Sequence, residues 1–285
     1  MSNLYVAATL LLLAVAPADD PPPRFPRELA DWYKVEIPPG GELDWLDANN
    51  DAEHTWVVTP GAQAPRVDLL PKGQDGPPPS RSKLPFVIEK RAVKEDSALG
   101  GLHVCARVQD GWIAGSNKGE WGGALWWFSP EEARREKLSP ENVADLIPTS
   151  AGLLALDGVT TTDKLQGRIT KLVRGVDGRW RAEPFVELGH TIEVATTNRD
   201  GSLLVATSER LLRVIPASKK VEVLLDDTSW GLAYPNSIVV DNSGAIYLGM
   251  RHLVAKVERR GETWSAAWLM PSKAYSERKR VEGFK

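Results

Sequence analysis

The 37 residues from Tyr234 to Met270 hold four apolar runs, and few architectures accept that spacing. The runs are Ser237–Asp241, Ala245–Met250, Leu253–Glu258 and Thr263–Met270. They are separated by Asn242-Ser243-Gly244, by a bend at Arg251-His252, and by Arg259-Arg260-Gly261-Glu262. Runs this short, rich in Ile, Val, Tyr and Trp and bounded by Gly and Asn turns, are strands joined by hairpins. The stretch is one four-stranded antiparallel unit.

The same rhythm extends back along the chain. Ile192–Thr196, Leu203–Thr207, Leu211–Ile215 and Val221–Leu225 form a second unit, and its Asp200-Gly201 turn lies 43 residues before Ser243-Gly244. Val143–Pro148, Leu153–Leu156, Ile169–Val173 and Trp180–Val186 form a third. Leu102–Val108, Trp112–Gly115 and Ala124–Phe128 are three strands of a fourth. Its last strand, around Arg135–Leu138, is weakly marked, and Ser129-Pro130-Glu131-Glu132 reads as a helix start. The earliest unit takes Leu43–Asp47, Thr55–Thr59, Val67–Leu70 and Pro85–Val93, with a Pro-rich loop from Gly73 to Lys83. Second strands begin near Thr55, Trp112, Leu153, Leu203 and Ala245, at spacings of about 57, 41, 50 and 42 residues. Repeats of four short strands at this period describe an all-β chain, a β-propeller of four-stranded antiparallel blades. Five blades are counted; a sixth, closed by Trp32–Ile37 with the C-terminal residues, is the alternative. A β-sandwich also uses short strands and Gly turns, but rarely with this periodicity over 200 residues.

Residues 1–18 have the form of a secretory signal. Leu4–Val15 is apolar, and Ala16-Pro17-Ala18 offers a small-x-small cleavage site before Asp19-Asp20. The apolar run falls short of the roughly 20 residues of a membrane span, and no Lys or Arg precedes it, so an uncleaved anchor is the competing reading. A Pro-rich linker (19–31), the β-domain (32–272) and a basic C-terminal tail (273–285) follow. The single Cys105 permits no internal disulfide, and there is no Asn-x-Ser/Thr sequon, which together fit a secreted or periplasmic protein. A net charge of −3 with no basic block argues against a nucleic-acid partner.

The segment Pro235–Gly249, PNSIVVDNSGAIYLG, resembles the blade signature of NHL, two-component-regulator and SMP-30/gluconolactonase-like propellers: an apolar strand, an Asp, a Gly turn and an aliphatic-Tyr strand. Thr191–Thr207 repeats it around Arg199-Asp200-Gly201. The resemblance implies a propeller with a ligand site at the mouth of a central channel. In its lactonase-like branch a metal-binding Asn lies in Pro-Asn-Gly. Asn236 matches that Asn, and Ser237 stands where the Gly would be.

Gly-x-Ser-x-Gly, His-Glu-x-x-His, Gly-x-Gly-x-x-Gly and phosphate-loop motifs are all absent. In a propeller one residue from each blade builds the site, so candidates are sought at blade spacing. Eight positions before the first turn Gly of successive units stand His103, Ala144 (with Asp145 next), Glu193 and Asn236. One blade before His103 lies Asp47. Asp47, His103, Asp145, Glu193 and Asn236 would supply oxygen ligands plus one imidazole, suiting Ca²⁺ or another divalent ion. Glu193 and His103 are the candidates for general-base work. The bland reading is that polar residues line a wet channel. Trp121, Trp126 and Trp127 cluster among Gly119, Gly122 and Gly123 in a loop and are candidate stacking surfaces for a ligand, with inter-blade packing as the alternative. The leading expectation is an exported propeller that binds a small ligand or protein partner at its channel mouth; a metal-dependent lactonase/esterase-like hydrolase is the runner-up.

Overall fold

The computed structural model describes residues 28–35, 53–62, 64–70, 84–131, 134–161, 164–228 and 230–275. The signal sequence, Leu43–Asp47 and the Gly73–Lys83 loop lie outside the described residues.

Among these residues the chain is all-β, built as five consecutive antiparallel sheets. The first is a hairpin of Trp56–Thr59 (β2) and Arg66–Leu69 (β3). The second runs Leu102–Val108 (β4), Gly111–Asn117 (β5), Gly123–Phe128 (β6) and Arg135–Ser139 (β7) in sequence order. Asn142–Thr149 (β8), Gly152–Thr161 (β9), Lys164–Arg174 (β10) and Trp180–Glu187 (β11) make the third. The fourth comprises Ile192–Thr197 (β12), Leu203–Thr207 (β13), Leu211–Ile215 (β14) and Lys220–Leu225 (β15). The fifth holds Ser237–Val240 (β16), Ile246–Gly249 (β17), Val254–Arg260 (β18) and Thr263–Met270 (β19), with Tyr33–Val35 (β1) added outside β19.

Strand period places the sheets face to face. On β13, Leu203 and Val205 enter the core shared with the third sheet, while Leu204 and Ala206 enter the core shared with the fifth. On β9, Leu154 and Leu156 face the fourth sheet and Ala155 faces the second. Strands buried on both faces read as near-continuous apolar runs, as β13 does from Leu203 to Ala206 and β17 throughout. The first strands β4, β8, β12, β16 and β2 touch in that order. The far face of the second sheet is covered by residues 84–101, including Lys90–Glu95 (α1), rather than by another sheet.

Three outer strands are charged where they meet solvent: Arg135, Glu136 and Lys137 on β7, Arg181 and Glu183 on β11, Lys220 and Glu222 on β15. Charge on an edge discourages pairing with another chain. β19 (TWSAAWLM) has no charge, and β1 covers it, pairing Tyr33, Lys34 and Val35 with Met270, Leu269 and Trp268.

The first sheet is strapped to the fifth. Trp56 N–H donates to Met250 O (3.0 Å) and His252 N–H to His54 O (2.7 Å). Ser237 Oγ accepts from Val58 N–H (2.9 Å). Gly249 makes this approach achievable, because a Cβ there would collide with the Trp56 carbonyl and Ser237 Oγ.

Three expectations are corrected. Pro85–Val93 is not a fourth strand but an extended segment leading into α1. Its period-2 pattern is real, since Leu84, Phe86 and Ile88 pack on the second sheet while Val87 is exposed, yet no ladder forms and Pro85 has no N–H to give one. Arg135–Ser139 is a true strand, and Ser129–Glu131 is a turn rather than a helix start. Of the expected Trp32–Ile37 strand, Tyr33–Val35 joins the fifth sheet as β1 instead of closing a sixth.

Candidate functional site

The first strands of the second, third and fourth sheets share a distortion. Register against the neighbouring strand slips between Leu102 and Val104, between Val143 and Asp145, and between Ile192 and Val194. The residues left over are His103, Ala144 and Glu193, the positions eight before Gly111, Gly152 and Gly201. A bulge bends its strand and re-aims the local side chains. The repeat-derived candidate position is therefore a structural device that recurs. In the fifth sheet the equivalent Asn236 sits just before β16, its N–H donating to Gly249 O (2.9 Å).

Beyond the bulges the three strands enclose a cavity of about 580 Å³. Its walls are Val104–Val108 of β4, residues 145–148 of β8 with Leu153, and residues 195–197 of β12. Its surface is divided about equally between polar and apolar atoms, and Cys105, Arg107, Asp145, Thr196 and Thr197 are the polar residues. Ligand sites commonly combine a concave apolar wall of this size with a few convergent polar groups. Asp145 thus lines the cavity, and its Oδ1 accepts from the Leu146 N–H (2.7 Å). Sequence reasoning missed Arg107, Thr196 and Thr197; counting onward from the bulge position reaches all three.

Glu193 is half-buried by area but enclosed by protein, and no described residue gives it a hydrogen bond or counter-charge. Burial alone pushes its carboxyl up to about 7. A second raised acid lies beside the β8 bulge. Asp157, across from Val143, is buried and pushed up to about 6 by desolvation, which outweighs Arg168 (Nε 3.4 Å) and Thr170 Oγ1 (3.0 Å). Sequence gave no sign of it beyond an Asp inside an apolar run.

Asn236 faces the first sheet: its Nδ2 donates to Trp56 O (3.1 Å), and its buried Oδ1 has no partner among the described residues. His103 stands at the β4 bulge, and Asp47 lies outside the described residues. Among the described residues no three His, Cys, Asp or Glu side chains gather closely enough to hold a metal ion.

The three tryptophans do not form one loop surface. Trp121 ends a short 3-10 turn between β5 and β6 and is 82% exposed. Trp126 and Trp127 are consecutive on β6 and point to opposite faces. Trp126 packs with Ala124 and Phe128, whereas Trp127 lies under the Arg134 guanidinium, 5.8 Å from its ring centroid.

No protein family and no curated protein matches the sequence. Solved structures show a distant likeness. A virginiamycin B lyase from Staphylococcus aureus is 11% identical, with a TM-score of 0.40, over 62% of this chain and 57% of that one. An auxiliary nutrient binding protein from Bacteroides thetaiotaomicron is 13% identical, with a TM-score of 0.38, over 61% and 43%. The extracellular domain of a hybrid two-component system from B. thetaiotaomicron is 15% identical, with a TM-score of 0.37, over 56% and 21%. The chain thus spans under two thirds of each of these proteins. At such distances no activity is carried over from them.

Proposed function

We propose that the five sheets are blades of a propeller and that the chain is an exported binding protein whose ligand enters the cavity between β4, β8 and β12. The cavity itself carries this reading: about 580 Å³ suits a small molecule, and Asp145, Arg107 and the two threonines can fix its orientation. Export rests on the signal-like residues 1–18 read from the sequence, and among the described residues no helix is long and apolar enough to span a membrane. Native mass spectrometry of protein purified from its own cell would seek a bound small molecule. Asp145→Asn and Arg107→Ala should each weaken its binding at least tenfold with little change in melting temperature. Equal affinity in both variants would overturn the reading.

A hydrolase is the second reading, favoured by one observation. Burial pushes the Glu193 carboxyl up to about 7, where a carboxylate serves well as general base, at the bulge two residues before the cavity wall begins at Ala195. Ester or lactone hydrolysis would then rise with an inflection near pH 7, and Glu193→Gln would abolish it. An inflection that survives the substitution would exclude Glu193 from the chemistry.

A further inference from the structure

A second concavity, of about 850 Å³, lies between the second and third sheets, away from the cavity above. Its walls are the β4–β5 turn at Asp110, the start of β7 at Arg134–Glu136, and the β10–β11 turn at Arg174–Trp180, with Trp127 among them. Four arginines and three acids meet here, so the balance depends on which charges are already engaged. Asp110 is engaged twice, by Arg174 Nε (2.9 Å) and by Trp180 Nε1–H (2.8 Å). Asp177 is held by the Arg181 guanidinium and by the Arg179 backbone N–H. Arg135 leans on Glu95 (3.3 Å). Among the described residues that leaves Arg134 and Arg179 without carboxylate partners, against Glu136 alone.

One of these guanidiniums is also placed, and the backbone that carries the other is fixed. Arg134 stacks over Trp127, which orders the side chain without neutralising it. Arg179 follows a turn fixed by the Asp177 carboxylate and by Gly178 at φ +76°. Two guanidiniums with no acid of their own, one of them ordered by stacking, are a receptor for oxyanions.

We propose that this groove is a binding site for a small organic oxyanion bearing carboxylate or phosphate groups. It is independent of the ligand proposed for the central cavity. Isothermal titration of the mature protein at fixed ionic strength tests it, with citrate and inorganic phosphate as probes and glycerol as the neutral control. One site in the millimolar range or tighter is expected for an anion and none for glycerol. Tighter citrate assigns carboxylate, and tighter phosphate assigns phosphate. Combining Arg134→Gln with Arg179→Gln should weaken binding at least tenfold, while Arg199→Gln on a distant turn leaves it unchanged. Glu136→Gln should tighten it severalfold, and that gain cannot come from misfolding. Absence of binding at 10 mM anion, or a titration unmoved by both sets of groove variants, would overturn the proposal. So would binding lost only with Arg107→Ala, which would put the anion in the central cavity.

Discussion

Glu193 is the residue whose surroundings ask most of it: a carboxyl enclosed by protein, with no donor to hold its charge. Between the ordinary glutamate value near 4.3 and its own value of about 7, it binds more proton in the folded than in the unfolded chain. Stability must therefore fall as pH rises through that window and stay low above it. Asp157, at about 6, acts in the same direction over a narrower range. Glu193→Gln should raise the melting temperature at pH 8 and leave it nearly unchanged at pH 4, with a gain of up to about 3 kcal/mol. Thermal melts at the two pH values decide it; equal shifts at both would mean the carboxyl is not desolvated. At this scale the sequence was partly legible. Counting eight residues back from each turn glycine reached Glu193 and His103, because the turn and the bulge are fixed to one strand. It could not show that Asn236 spends its amide on Trp56, since nothing local links residues 180 apart.

Turns and strands were read more easily than their partners. Gly201 and Gly244, at φ of +78° and +87°, announce their hairpins because few other residues accept that backbone. Asp241 adds to the second turn by accepting from Ser243 N–H, Ala245 N–H and the Tyr247 hydroxyl. β7 was faint in sequence for a physical reason: an outer strand needs charge, and charge weakens the apolar signal. Lys137 and Arg135 of β7 meet Asp96 (2.7 Å) and Glu95 at the end of α1, which explains why residues 84–101 settle on this sheet. Between elements the strap at Ser237 is the most exposed to test. Ser237→Ala leaves the Val58 N–H buried without an acceptor and should cost about 1–3 kcal/mol. Chemical denaturation would show it, and an unchanged midpoint would mean that the first sheet is not held by this bond. Gly249→Ala should be worse, because the added Cβ meets a backbone carbonyl that has no room to move.

Across the described residues, stability rests on three apolar layers shared by neighbouring sheets and a fourth between the second sheet and residues 84–101. Four apolar layers lie between or against the sheets, and the fifth sheet gains its outer strand from the opposite end of the chain. Deleting residues 28–35 would strip Leu29, Trp32 and Val35 from the core and bare the uncharged edge of β19. A lower melting temperature and light scattering that rises with concentration are expected; a monodisperse, equally stable product would show that β1 is dispensable. The repeat period made the sheets visible, and the sequence joined Trp32–Ile37 to the C-terminal residues as a sixth blade, whereas β1 extends the fifth sheet at β19. That pairing also sets an order of events. Tyr33 leaves the ribosome more than 200 residues before Met270, which at 5–20 residues per second is roughly 10–50 seconds. For that interval the newborn chain carries β1 without its partner strand, and β19, made more than 200 residues later, completes it.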